Sequence, residues 1–230
     1  MDVRGWAVAG ASLLGIDGAT RLPVSPVAAQ PASTGRLRCL DPSILAPVEL
    51  HPPFLTGRLV RLRAPEPADA VLNELFNDHG VRSGLGMPFP QPTESFHAWI
   101  ESARKNPDHF NLIIERLEEP GPIGMCDLMR IEAPTRTAEL GIWVARPWWK
   151  GGYGTEAVRT LCRFGFDHVN LHRITLYVNA DNAQAIRAYE KAGFKDEGRL
   201  REMAFVHGGR VDQLVMGLLP DDLISERGEG

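Results

Sequence analysis

Little in this chain could hold a fold together except its own packed core. Its 230 residues include three cysteines, at positions 39, 126 and 162. That is an odd number with none of the close spacings that bind zinc, so neither a disulfide framework nor a metal centre is expected. No apolar run reaches the roughly 18 residues that would cross a bilayer, and no membrane partner is expected. Lysine is scarce, 4 against 21 arginines, and acidic residues outnumber basic ones 29 to 25. A net charge of −4 and a pI near 6.0 leave no basic footprint, so nucleic acid is not an expected partner either. Internal repeats are absent.

What is present fits one globular domain with a tail. Apolar residues make up 43% and charged residues 23% of the chain, enough for a sizeable core. Residues 1–50 differ from the rest: Ala, Pro, Gly, Val and Leu dominate, prolines stand at 23, 26, 31, 42 and 47, and no period is sustained. This segment reads as a disordered extension or as sequence ahead of the true start. Trp6 to Ile16 has the apolar character of a secretory signal core, but Asp2 and a lone Arg4 make a poor basic flank. A cytoplasmic location is therefore expected. The domain is assigned to residues 51–222, with 223–230 as a tail.

Within the domain the hydrophobic pattern predicts strands at 58–63, 110–116, 124–132, 137–145, 173–179, 198–206 and 211–218. Helices are predicted at 66–77, 93–105, 155–168 and 182–192, and a loop at 84–92. Val158, Leu161, Cys162 and Gly165 recur at helical spacing, and Gly193 is placed to stop the helix before it. The order predicts a mixed α/β fold: a largely antiparallel twisted sheet, flanking helices and one β-α-β crossover.

One stretch carries chemistry. Trp149, Lys150, Gly151, Gly152, Tyr153, Gly154 and Thr155 join a strand to a helix through three glycines. Glycine lets backbone N–H groups crowd a ligand, and the first N–H groups of a helix have no partner within it. With the positive end of the helix dipole, such a junction suits phosphate. Gly152 to Ala157 also satisfies G-x-G-x-x-A, the dinucleotide fingerprint, and Asp181 follows the next strand where a ribose-binding acid is expected. Against that reading, Arg146 to Lys150 separate strand from glycine, and no second β-α-β-α half follows.

A second string decides between them. Asn179-Ala180-Asp181-Asn182-Ala183-Gln184-Ala185-Ile186-Arg187-Ala188-Tyr189-Glu190-Lys191-Ala192-Gly193-Phe194 follows Leu140-Gly141-Ile142-Trp143-Val144 and the glycine turn. Together they resemble the GNAT superfamily of acetyl-CoA-dependent N-acetyltransferases over about residues 56–219. Within it, the chain is most similar to the ribosomal-protein N-terminal and the spermidine acetyltransferases. The resemblance implies an acyltransferase of the GNAT fold using acetyl-CoA as donor, without metal, and an amine acceptor that is a small molecule or a protein N-terminus. Assembly as a homodimer is compatible with it.

By the same resemblance, Trp149 to Thr155 wrap the CoA pyrophosphate with backbone amides, although Trp149 stands where Gln or Arg is usual. Ile142, Trp143 and Val144 pair their backbone with the pantetheine arm. Asn182 contacts the cofactor, though an Asn there also caps a helix. Tyr189 is the acid that protonates the leaving thiolate; a phenol with a pKa of about 10 stays protonated at neutral pH. Glu139 is the candidate base, on the strand face of Gly141 and Trp143. Some relatives carry a glutamate on the next strand where this chain has Tyr177. The acceptor would be set by the 84–92 loop, the following helix and the last hairpin, with Phe89, Phe96, Trp99 and Phe205 as candidate pocket residues. Glu94, Glu101 and Glu139 are the carboxylates a polyamine would need. A dinucleotide-dependent enzyme and a non-catalytic acyl-CoA sensor are the competing classes.

Overall fold

The computed structural model describes residues 55–224, apart from 88, 104, 106 and 107. The expected extension at 1–50 and most of the tail lie outside the described residues. Seven strands form one sheet in the order β1-β2-β3-β4-β5-β7-β6. They are β1 (Val60–Arg63), β2 (Phe110–Arg116), β3 (Pro122–Glu132), β4 (Thr137–Val144), β5 (Arg173–Asn179), β6 (Lys195–Val206) and β7 (Gly209–Leu218). Every pairing is antiparallel except β4 with β5, which meet through the expected crossover.

Among the described residues five α-helices flank the sheet: α1 (Leu72–Phe76), α2 (His79–Gly84), α3 (Thr93–Ala103), α4 (Tyr153–Asp167) and α5 (Ala183–Ala192). Period-two alternation sends Leu140, Ile142 and Val144 of β4 to one face and Glu139, Gly141 and Trp143 to the other. The first face carries the larger core, where Leu140, Leu176 and Val178 meet Val158, Leu161 and Cys162 of α4. On the opposite face Phe96, Trp99 and Ile100 of α3 pack with Leu72, Ile113 and Met125. Of the four candidate pocket residues, Phe96 packs within this second cluster, Trp99 packs there and also borders a small cavity, and Phe89 and Phe205 are exposed.

Several boundaries differ from the expected ones, each for a local reason. β1 begins at Val60 rather than residue 58 because the Arg58 and Leu59 N–H groups bond the Glu156 carboxylate instead of a neighbouring strand. The predicted 66–77 helix divides into a 3-10 turn at Pro67–Val71 and α1. α2 fills a stretch to which no element was assigned and reaches the expected 84–92 loop only at Gly84; Asp78 caps it, accepting from the N–H groups of Gly80 (2.8 Å) and Val81 (3.2 Å). β6 starts three residues early, at Lys195. The last hairpin turns on His207 and Gly208 alone, both with positive φ (51° and 80°), as tight two-residue hairpins require.

Candidate active site

The parallel pair β4–β5 sets the site. Its register covers only Thr137 with Arg173, Ala138 with Ile174 and Glu139 with Thr175. Beyond Glu139 the strands part, and the β5-facing edge of β4 from Leu140 to Val144 has no strand partner among the described residues. A cavity of about 500 Å³ fills the opening. Its walls include Gly141, Ile142, Trp143 and Val144 of β4, Tyr177 and Asn179 of β5, and Asn182 and Tyr189 at α5.

The glycine turn closes the outer end. Here α4 starts at Tyr153, two residues earlier than expected, with Gly152 as N-cap at φ 84°. Glu156 is the first residue to bond back, its N–H meeting the Gly152 carbonyl at 3.1 Å. The N–H groups of Gly152 to Thr155 therefore lack intrahelical partners. Lys150 also adopts a left-handed backbone, φ 66°, which turns the chain into the helix. The Trp149 indole donates to the Val144 carbonyl at 2.6 Å, tying the turn to the end of β4. Lys150, Arg187 and Lys191 line the cavity, which suits an anionic ligand.

Of the expected residues, Ile142, Trp143, Val144, Trp149, Lys150, Gly152, Gly154, Thr155, Asn182 and Tyr189 all line this one cavity. Gly151 and Tyr153 belong to the turn without lining it, and a Cβ on Gly151 would meet the Tyr153 ring at 2.6 Å. Asn182 caps α5, its Oδ1 accepting from the Ala185 N–H at 3.1 Å. The Tyr189 ring packs edge-on against Phe194, centroids 5.9 Å apart. Burial of the phenol pushes its pKa up, so it stays protonated across the neutral range.

Glu139 stands apart. It lies on the expected face, is buried, and pairs with Arg130 rather than lining the cavity. Loss of water raises its pKa; Arg130 opposes that rise and Asp127 adds to it. Asp181 is exposed and is not part of the cavity wall, which leaves the dinucleotide fingerprint without its acid.

The sequence pattern missed three contributors. α2 forms one wall through Gly80, Val81 and Gly84; a Cβ on Gly80 would lie 3.4 Å from Trp149, and one on Gly84 3.8 Å from Asn182. Buried Gln213 of β7 donates to Asn179 Oδ1 at 3.1 Å on the cavity wall. Buried Glu156 anchors the start of α4 to the chain ahead of β1. Only the last had a sequence signal, an acid in the first turn of a helix.

A splayed parallel pair, a bare strand edge and an amide-rich, cation-flanked turn at its end are features that suit an elongated, phosphate-bearing ligand. The family model of the acetyltransferase (GNAT) domain matches residues 59–195, and the chain belongs to this family. It is 31% identical to the spermidine N(1)-acetyltransferase of Vibrio cholerae over 69% of this chain and 91% of that protein. Identity to YdaF of Bacillus subtilis, named as a candidate ribosomal N-acetyltransferase, is 28% over 73% of this chain and 95% of that one. A crystal structure of the Vibrio cholerae spermidine N-acetyltransferase in complex with CoA and spermine superposes with a TM-score of 0.66 at 25% identity, covering 71% of this chain and 96% of that chain. Mycobacterium smegmatis RimJ, in complex with CoA-disulfide, shares the fold with a TM-score of 0.66 at 22% identity, covering 76% and 93%. The chain is an N-acetyltransferase: acetyl-CoA is the donor and an amine the acceptor.

Proposed function

We propose that the acceptor is a single primary amine, the α-amino group of a peptide or protein N-terminus in preference to a polyamine. One observation carries this reading. The carboxylates that a polyamine's several ammonium groups would need do not converge. Glu94 and Glu101 are exposed on α3, Glu139 is paired with Arg130, and none of the three lines the cavity. The charges on its wall are cationic, which suits CoA phosphates and repels a polycation.

In this reading the pyrophosphate sits on the N–H groups of Gly152 to Thr155, and the pantetheine arm lies along Ile142 to Val144 as an added strand. Tyr189, protonated and on the cavity wall, gives its proton to the leaving thiolate. The buried thiols Cys126 and Cys162, both pushed up in pKa by burial, are unsuited to be nucleophiles, so transfer is direct. Catalysis then comes mainly from positioning within a ternary complex. A cytoplasmic location goes with this reading.

The polyamine reading keeps the support of the Vibrio cholerae relatives, one named for spermidine and one holding spermine. An amine panel with detection of released CoA thiol separates the two. Peptides with free N-termini are expected to turn over at higher kcat/KM than spermidine or spermine; the reverse order would overturn the proposal. Tyr189→Phe is expected to lower kcat about 100-fold or more while leaving acetyl-CoA affinity nearly unchanged. Unchanged turnover would remove the acid role.

A further inference from the structure

The acetyl-transfer reading leaves open which group receives the amine, and the sheet register points to one. β4 runs outward to Val144 and then into the glycine turn, so distance along its bare edge measures distance from the phosphate end. At about 3.3 Å per residue, Gly141 lies about 10 Å inward from Val144. It is just past Glu139, where pairing with β5 stops, and it lines the cavity. A ligand with phosphates on the turn brings its reactive end here.

Gly141 pairs across the sheet with Asp127 of β3. The carboxylate leans over the glycine: a Cβ on Gly141 would lie 2.1 Å from Asp127 Oδ1 and 2.8 Å from Met129 Cε. Its other oxygen, Oδ2, accepts from His109 Nε2 at 2.9 Å, and both side chains are less than one-fifth exposed. Asp127 also lines a second cavity of about 50 Å³, walled by Phe76, Trp99, Met125 and Trp143. Leu85, Ile142 and Trp143 border both cavities. Among the described residues the lining charges divide by sign, with three cations on the larger cavity and Asp127 as the one carboxylate on either.

We propose that Asp127 is the residue that receives the acceptor amine and takes its proton, with His109 as its positioning partner. The carboxylate accepts a hydrogen bond from the neutral amine and directs the nitrogen lone pair at the thioester carbon beside Gly141. As the C–N bond forms, the nitrogen becomes acidic and its proton passes to Asp127. The C–S bond then breaks, the electron pair leaves on sulfur, and Tyr189 supplies the proton that makes the free thiol. Solvent removes the proton from Asp127 and returns one to Tyr189, so the sum is amine plus thioester giving amide plus thiol. The small apolar cavity accommodates the substituent on the amine carbon. Gly141 is glycine because any larger residue would displace this carboxylate.

The test uses the full chain and the best amine from the panel. Asp127→Asn is expected to lower kcat/KM for the amine about 100-fold or more and to leave acetyl-CoA affinity, read by calorimetry, within about twofold. Gly141→Ala, which pushes the carboxylate aside while keeping it, is expected to show the same split and decides the matter if Asp127→Asn fails to fold. His109→Ala is expected to lower kcat and shift the acid limb of the pH–rate profile, with His109→Asn recovering part of both. Turnover within threefold of wild type in Asp127→Asn, or in a folded Gly141→Ala, would overturn the assignment and leave the acetyl-transfer reading standing. Thiol release absent with every amine, in a wild-type protein that binds acetyl-CoA, would instead sink that reading and the assignment with it.

Discussion

The Trp149 indole N–H donates to the Val144 carbonyl at 2.6 Å, so the first residue of the glycine turn is tied to the last residue of β4. This bond fixes the two parts of the proposed donor site, strand edge and glycine turn, relative to each other. It also gives a tryptophan a part where the family resemblance leads one to expect Gln or Arg: its side chain braces the turn against the end of β4. Trp149→Phe keeps the ring and removes the donor. Its KM for acetyl-CoA is expected to rise about fivefold, the equivalent of one ordinary hydrogen bond of about 1 kcal/mol, with kcat little changed. Steady-state kinetics at saturating amine measures both.

Glu156 ties the same turn to the chain ahead of β1. Its buried carboxylate accepts from the N–H groups of Arg58 and Leu59, and a Cβ on Gly57 would lie 2.3 Å from its Oε1. Glu156→Ala removes the carboxylate on which the Arg58 and Leu59 N–H groups converge, at two residues exposed enough for water to take its place. A stability loss of about 1–2 kcal/mol is expected from the two lost hydrogen bonds, seen as a lower urea midpoint. Acetyl-CoA should restore part of it by mass action, because it binds only the folded protein.

The parts of the fold legible in the sequence were those specified by neighbours in the chain. β5 has its expected bounds, and α5 lies between the Asn182 cap and the left-handed Gly193, φ 111°, as read from the residues alone. α2 was not legible, because His79 to Gly84 includes two glycines and has poor helix propensity. It forms through the Asp78 cap and the burial of Val81. The same division runs through the site. Gly152, Gly154, Asn182 and Tyr189 belong to local motifs, and the structure brings them to one cavity. Asp127 and Gln213 acquire their places only from pairing with Gly141 and Asn179 across strands, and no periodicity along the chain records such pairings.

The glycines of the turn are expected to differ sharply on substitution. Gly152 has φ 84°, a conformation that costs a side-chain-bearing residue about 1–2 kcal/mol. Gly154 has no positive φ, and a Cβ there would make an ordinary 3.7 Å contact with Val144. Gly152→Ala should therefore lower the melting temperature and raise the acetyl-CoA Kd. Gly154→Ala, inside a helix where alanine is favoured over glycine by up to about 1 kcal/mol, should melt at or above wild type. Thermal denaturation of the two variants, with and without acetyl-CoA, checks the contrast.

Glu139 offers a prediction in pH. Burial raises its pKa in the folded chain above the unfolded value of about 4.3. The folded state therefore holds this proton more tightly than the unfolded state does. Such a group contributes stability that is fully present below the unfolded pKa and is lost as pH rises through the folded pKa. Glu139→Gln removes that titration while keeping the shape and one hydrogen-bond acceptor for Arg130. Wild type should therefore be most favoured over the variant at about pH 4 and lose ground as pH approaches 7. Urea unfolding of both proteins across that range measures the difference at each pH. A difference that grew toward neutral pH would mean that the Arg130 ion pair outweighs desolvation at this carboxylate.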